Sequence, residues 1–186
     1  LLGDKQFKLN YFPNKYIHSG YFQNINRSDT DQKALSEMIN AIKPQFPKKK
    51  KLNYLGIHIR RGDYLSKKHN IHGLITEDFF LKVAKLIFKN EIFDGITIFT
   101  DSPDIVKIEE FKNINKNIKV DQGGDPVDVF KRMVNHKGLI ASNSTFSLWA
   151  GIIGKIKYFS IPMYWMKGNK SSLLGLQKIR RYKNFL

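Results

Sequence analysis

Two arginines, a glycine and an aspartate stand together at positions 60 to 63, after an apolar run and before an aromatic ring: His58-Ile59-Arg60-Arg61-Gly62-Asp63-Tyr64. Guanidinium groups stay charged at any working pH and present planar forks of donors that match phosphate oxygens. Two of them could neutralise a diphosphate, beside a glycine that admits close approach. Asp63 could orient an arginine or take a proton. The same residues could instead form an Arg–Asp ion pair that braces a turn. The Arg-Gly-Asp tripeptide of cell adhesion is too short to carry weight. Side chains alternate between the faces of a strand. Arg60 therefore shares the face of His58, and only a turn at Gly62 would bring Arg61 to the same ligand.

Two further stretches could act with this one. Ser142-Asn143-Ser144-Thr145-Phe146-Ser147 lies between an apolar run and a helical pattern. Its hydroxyls and the free N–H groups of a helix start make an anion site, although plain N-capping would need only one such residue. In Phe99-Thr100-Asp101-Ser102-Pro103, the Asp101 carboxylate only accepts hydrogen bonds and could pair with the N–H and NH₂ edge of guanine. An ordinary helix-start aspartate is the equal alternative. Metal signals are poor. Asp29-Thr30-Asp31 has the spacing used by metal-dependent sugar transferases, but it opens a helix rather than following a strand and reads as capping charge. His18, His58, His69, His72 and His136 show no zinc spacing, so no metal ligand is assigned. There is no P-loop and no G-x-G-x-x-G, and Gly123-Gly124-Asp125 reads as a turn.

The chain has 186 residues, 41% of them hydrophobic and 13% aromatic, enough for a packed core. It has no cysteine, which excludes disulfides and thiolate metal sites and suits a reducing compartment. No apolar run reaches the roughly 18 residues needed to cross a bilayer. The first residues lack the order of a signal peptide and there is no initiator Met, so the chain reads as a fragment or a processed form. Lys and Arg number 32 against 16 acidic residues, a net charge of +16. Such a field attracts nucleic acid, acidic lipid surfaces or phosphorylated small molecules. The abundance of Lys, Asn and Ile also follows from an AT-rich genome, so charge alone names no partner.

The first 27 residues have no clear period. A helix is predicted from Ser28, with Leu35, Met38, Ile39 and Ile42 on one face and Pro44 beyond its end. The run Pro47-Lys48-Lys49-Lys50-Lys51 reads as a solvated linker. From there strands and helices alternate. Leu52–Ile59 is a strand. Thr76 caps a helix with Phe79, Val83, Leu86 and Ile87 inward and Lys82, Lys85 and Lys89 outward. Gly95–Thr100 is a strand, and Ser102-Pro103-Asp104 opens a helix. Residues 117–120 form a third strand. Asp125-Pro126 caps a helix burying Val127, Phe130, Met133 and Val134. Residues 138–142 form a fourth strand, Ser144–Ile153 a helix, and 155–161 a fifth strand. Repeated β-α units imply a Rossmann-like α/β fold, a parallel sheet with helices on both faces. Ligands of such sheets sit at the carboxyl ends of strands, where the three stretches above should converge.

Together these segments resemble glycosyltransferase family 11, the α-1,2-fucosyltransferases. The similarity rests on "HIRRGDYL", a later "TD" strand end, "NSTFSLWA", and the early "SGYFQN" at Ser19 to Asn24. It covers most of the chain from about Tyr16 onward. The resemblance implies a GT-B-type enzyme that moves L-fucose from GDP-β-L-fucose to a hydroxyl of an oligosaccharide, expected to be a galactoside. The transfer would invert to an α linkage and need no metal or other cofactor. It implies that Arg60 and Arg61 hold the diphosphate, that His58 lies in the donor site, and that Asp101 meets guanine. Ser144 and Thr145, with Asn143 and Gly62 beside them, would complete the donor site. Asp63 is the candidate base, and Arg60 the group that stabilises the leaving diphosphate.

The glycine-rich "GGLGNQ"-like start of that family is absent. Residues 1–50 are therefore expected to be a remnant of, or linker from, an N-terminal acceptor domain, and 51–186 the GDP-fucose-binding domain. Such an incomplete chain, carrying mainly the donor-binding half, would have uncertain activity alone. Nucleic acid is not an expected partner. A cytoplasmic location is expected, with peripheral association to the acidic inner face of a bacterial membrane as a further expectation. The rivals are a non-catalytic basic nucleotide- or nucleic-acid-binding module and a fucosyltransferase of other linkage.

Overall fold

The computed structural model describes residues 10–12, 15–17, isolated positions between 33 and 46, and residues 50–65 and 73–162. Two short strands, β1 (Asn10–Phe12) and β2 (Lys15–Ile17), pair antiparallel. Sequence periodicity did not reveal them, because three residues show no recognisable alternation. Lys33, Ser36, Glu37, Ile39, Asn40 and Ala41 are helical, as the pattern from Ser28 predicts. Leu35, Met38 and Ile42, the DxD at 29–31, and His18, His69 and His72 lie outside the described residues.

Five strands form one parallel sheet: β3 (Leu52–Ile59), β4 (Gly95–Thr100), β5 (Ile118–Val120), β6 (His136–Ile140) and β7 (Tyr158–Ser160). Their spatial order is β5-β4-β3-β6-β7, all pairs parallel. β3 lies at the centre, where Ile57 faces Ile98 on one side and Ile140 on the other. Residues 55 to 59 are buried along its whole second half, as expected of a strand covered on both faces.

The connecting helices are α1 (Glu77–Asn90), α2 (Ile108–Lys112), α3 (Pro126–Val134) and α4 (Thr145–Ile153). Phe80 and Ala84 of α1 and Phe111 of α2 join the core of Leu55, Ile57, Ile59, Ile96 and Ile98. Met133 and Val134 of α3 and Ala150 of α4 pack with Phe99 and Leu139. Ile98 and Phe99 are neighbours in β4 and point to opposite faces. Helices therefore cover both faces, α1 and α2 on one and α3 and α4 on the other.

Helix details depart from the sequence pattern where several apolar residues competed for one face. Leu86 is 59% exposed and Val127 57%, whereas Phe80 and Ala84 are buried. Of the predicted face of α1, Phe79, Val83 and Ile87 do pack against the core and Leu86 does not, while Phe80 and Ala84 take the most buried positions. Thr76 stands at the N-cap of α1 without a side-chain capping bond. The segment after Pro103 is a turn rather than a helix, and α2 begins only at Ile108. Asp125 caps α3 as predicted, its carboxylate accepting from the N–H groups of Val127 and Asp128.

Gly123 and Gly124 have φ of +70° and +102°. The segment is a turn that other residues would strain, and Arg132 holds it by bridging Asp121 and the Gly123 carbonyl.

The basic run before β3 is not wholly solvated. The Lys51 ammonium donates to the carbonyls of Val134, at the end of α3, and Gly154, the C-cap of α4. A cation there meets the negative ends of two helix dipoles. Lys51→Met should lower stability by about 1–2 kcal/mol, read as a reduced urea midpoint. An unchanged midpoint would show the clasp to be incidental.

Candidate active site

The strand order reverses direction between β3 and β6. β3 continues through α1 to β4 on one side, and β6 lies on the other. Helices leave the sheet in opposite directions at such a point and open a crevice beyond the strand ends. The motif after β3 and the Ser/Asn/Thr segment after β6 both end there. A hydrogen bond spans them: the Tyr64 hydroxyl donates to the Asn143 carbonyl at 2.9 Å. Burial raises the Tyr64 pKa, which keeps its phenol protonated as that donor.

The two arginines part company. Arg60 stays at the surface, its side chain 36% exposed. Its Nη2 lies 2.9 Å from Asp63 Oδ1 and its Nη1 3.0 Å from Asp101 Oδ2, while its Nε donates to Asp63 Oδ1 at 3.0 Å. Its guanidinium also lies 5.8 Å from the centre of the Tyr64 ring. Arg61 turns inward and is 2% exposed. Its Nη1 donates to the Arg60 carbonyl, and its Nη2 lies 2.9 Å from Glu77 Oε1. That last contact is a close ion pair, and it is what partners the buried guanidinium. Burial pushes the Glu77 carboxyl upward, but the Arg61 guanidinium outweighs it and the net shift is down.

Asp101 closes the turn from β4. Its Oδ1 accepts from the N–H groups of Arg61 at 2.9 Å and Gly62 at 3.1 Å. A Cβ at position 62 would lie 2.7 Å from Asp101 Oδ2. Glycine is needed there for the approach of this carboxylate. A guanine contact by Asp101 would compete with four donors already in place, the N–H groups of Arg61 and Gly62, the Ser102 hydroxyl and Arg60 Nη1. Asp63 opens a single 3₁₀ turn through Leu65.

Across the crevice, Asn143 is buried and its Nδ2 donates to the Gly73 carbonyl at 2.7 Å, bracing the approach to α1. Ser144 is the N-cap of α4 without a side-chain capping bond, and Thr145 is its first residue. His58 is buried 6.1 Å from the Phe146 ring. Among the described residues, His58 Nδ1 and Ser142 Oγ are buried without a hydrogen-bond partner. His58 is the penultimate residue of β3 and Ser142 follows β6 by two residues, and buried orphan polar atoms are rare enough to mark candidate ligand contacts.

The structure thus places His58, Arg60, Gly62, Asp63, Asp101, Asn143, Ser144 and Thr145 at or just beyond the carboxyl ends of the neighbouring strands β3, β4 and β6, with Arg61 turned inward. Glu77 was missed from sequence. As an acid in the first turn of a helix it is indistinguishable from a residue that merely favours the helix dipole. No group of three or more His, Asp or Glu that could hold a metal occurs among the described residues. No described helix is long and apolar enough to cross a membrane.

Burial, reinforced by the Arg60 charge, pushes the His58 imidazole down to about 4, with Asp101 pulling the other way. His136 is also lowered by burial. Its Nδ1 donates to the Arg132 carbonyl, so Nε2 accepts from the Thr97 hydroxyl. Both rings are neutral in the fold. Below the ordinary value of 6.5 the unfolded chain takes up protons that the folded chain refuses. Stability is therefore full above that pH and is lost as pH falls toward about 4. At roughly 1.4 kcal/mol per pH unit, His58 alone would account for ~3 kcal/mol. His58→Phe should flatten the fall of the urea midpoint between pH 6.5 and 4. Parallel profiles for variant and wild type would contradict this.

A doubly wound parallel sheet, with an arginine-bearing turn after β3 and a helix N-terminus after the neighbouring β6, defines the class of α/β domains that hold ligands beyond their strand ends. The chain belongs to glycosyl transferase family 11, whose family model matches residues 1–173. It is 33% identical over 126 residues to an alpha-1,2-colitosyltransferase of Escherichia coli, which covers 64% of this chain and 39% of that protein. It is 29% identical over 132 residues to the O-antigen biosynthesis glycosyltransferase WbnK of Escherichia coli, covering 67% of this chain and 43% of that protein. The chain spans about two fifths of the length of these curated relatives. No solved structure matches it.

Proposed function

We propose that this chain carries the donor-binding part of a GT-B-type inverting glycosyltransferase that moves L-fucose from GDP-β-L-fucose to a glycan hydroxyl, with α-1,2 linkage to a galactoside as the leading assignment. The observation that carries the reading is the placement of Arg60. It is a partly exposed guanidinium on the turn after β3, and Tyr64 of the same turn hydrogen-bonds Asn143, the residue before the N-cap of α4. Family membership supports a transferase over a nucleic-acid-binding module.

In this reading the acceptor oxygen attacks C1 of the sugar as the bond from C1 to the phosphate oxygen breaks. The electron pair leaves with the diphosphate, and the hydroxyl proton passes to Asp63. The transition state has oxocarbenium character. Arg60, the hydroxyls of Ser144 and Thr145, and the Thr145 N–H that opens α4 stabilise the growing charge of the leaving group, the Ser144 N–H being already engaged on the Ser142 carbonyl. His58 and Asn143 shape the floor and wall of the donor site. Arg61 acts from beneath, through the backbone of the turn.

Calorimetric titration with GDP, GDP-fucose, ADP and UDP, with and without a chelator, tests the reading. GDP should bind in preference to ADP and UDP and be indifferent to the chelator. Equal binding of all three nucleotides, or binding lost with the chelator, would overturn it. Because one relative is named for colitose transfer, transfer assays with fucose and colitose donors would separate the two sugars.

A further inference from the structure

Arg60 offers two edges for a two-pronged contact, and both already involve a carboxylate. Nε and Nη2 share Asp63 Oδ1, and Nη1 lies on Asp101 Oδ2. A diphosphate can take the fork only if one carboxylate lets go. The two are not equally held. Asp101 is anchored independently of Arg60 by the N–H groups of Arg61 and Gly62, and its side chain is 26% exposed. Asp63 has no side-chain partner other than Arg60 among the described residues, and its side chain is 44% exposed. Releasing Asp63 exposes one carboxylate to water, whereas releasing Asp101 would also strip two backbone donors.

We infer that Asp63 is an internal stand-in for the ligand anion, displaced from Arg60 when the donor diphosphate binds, while Asp101 remains as the positioning residue that holds Arg60 and its turn. The inference rests on the proposed role of Arg60 as the diphosphate contact. It adds an order of events. Until the anion arrives, the Asp63 carboxylate is engaged on Arg60. The incoming charge replaces it ion for ion and repels it, leaving its oxygens free to accept the proton of a sugar hydroxyl. The donor therefore binds before the base is available, and the free enzyme keeps its arginine pre-oriented rather than mobile.

The two aspartates should consequently respond with opposite signs. Calorimetric titration of wild type, Asp63→Asn, Asp63→Ser and Asp101→Asn with GDP and with inorganic pyrophosphate, beside melting curves, tests this. Both Asp63 variants should bind either ligand about two- to fivefold more tightly, the range an exposed ion pair supports. Asp101→Asn should bind more weakly and melt lower. Loss of negative charge alone would favour an anion at both positions, so tighter binding at Asp63 beside weaker binding at Asp101 is the result that marks the exchange. If wild type binds GDP and the Asp63 variants bind it equally or more weakly, the inference is overturned while the donor assignment survives. If pyrophosphate follows the expected order and GDP binds no better than pyrophosphate, the exchange stands and the nucleotide assignment falls. If wild type binds neither ligand, the role of Arg60 itself fails, and the exchange with it.

Discussion

Arg60→Ala is expected to weaken GDP binding by about one to two orders of magnitude while leaving the fold intact. A hydrogen bond to a charged group is worth roughly 1.5–3 kcal/mol, and tenfold in affinity is about 1.4 kcal/mol. Removal of the guanidinium also leaves Asp63 and Asp101 uncompensated beside the ligand, which adds repulsion. Arg60→Lys should fall between, because an ammonium on a flexible stem supplies charge without the planar fork. In a form of the protein that turns over, loss of Arg60 should lower kcat by about 10²–10³, the effect of deleting a donor aimed at developing charge. The melting temperature should change little, since Arg60 is half exposed and Asp101 keeps its backbone donors. Unaltered GDP affinity in both variants would refute a diphosphate role for the motif.

Glu77→Gln is expected to be among the most destabilising single substitutions in the domain, although Glu77 stands outside the recognisable motif. Arg61 is almost wholly buried with Glu77 as its ion partner. Loss of one member of a buried pair leaves an uncompensated charge, at about 3–5 kcal/mol. Glu77 keeps some solvent contact, its side chain being 23% exposed, so the lower end applies. About 3 kcal/mol corresponds to a fall of roughly 6–12 °C in melting temperature for a domain of this size. The double variant Arg61→Met, Glu77→Leu should recover much of the loss, because neutral residues of similar volume need no partner. If Arg61 braces the turn and does not touch the ligand, the folded double variant should also bind GDP with nearly wild-type affinity. A melting temperature within a degree of wild type for Glu77→Gln, or a double variant that folds but no longer binds, would show that this division of labour is wrong.

These expectations separate what short stretches of sequence encode from what packing assigns. The strand of residues 52 to 59, the strand of residues 95 to 100, the Asp125 cap and the start of α4 at Thr145 were legible because their causes are local. They follow from short apolar runs, a capping aspartate followed by a proline at the first helical position, and a polar segment that gives way to an apolar helical pattern. The motif at 58 to 64 and its order relative to Asp101 and the Ser/Asn/Thr segment were enough to indicate the family. The alternation of strand and helix implied a parallel sheet, as observed, and the rule of ligands at strand ends named the candidate site.

What each charged residue does there was decided only in three dimensions. Strand alternation puts Arg60 and Arg61 on opposite faces but does not say what either one meets. The sheet turns one outward beneath two carboxylates and the other inward against a helix start. Asp101 reads equally well as a cap or a base contact. Its carboxylate in fact folds over Gly62, 39 residues earlier in the chain. The face of α1 that becomes buried was likewise fixed by which residues met β3 and β4, leaving Leu86 in solvent. A local pattern carries the energy of its own dihedrals, caps and period. The pairing of charges distant in sequence depends on which elements lie side by side and how much water is left between them, and those are properties of the packed sheet.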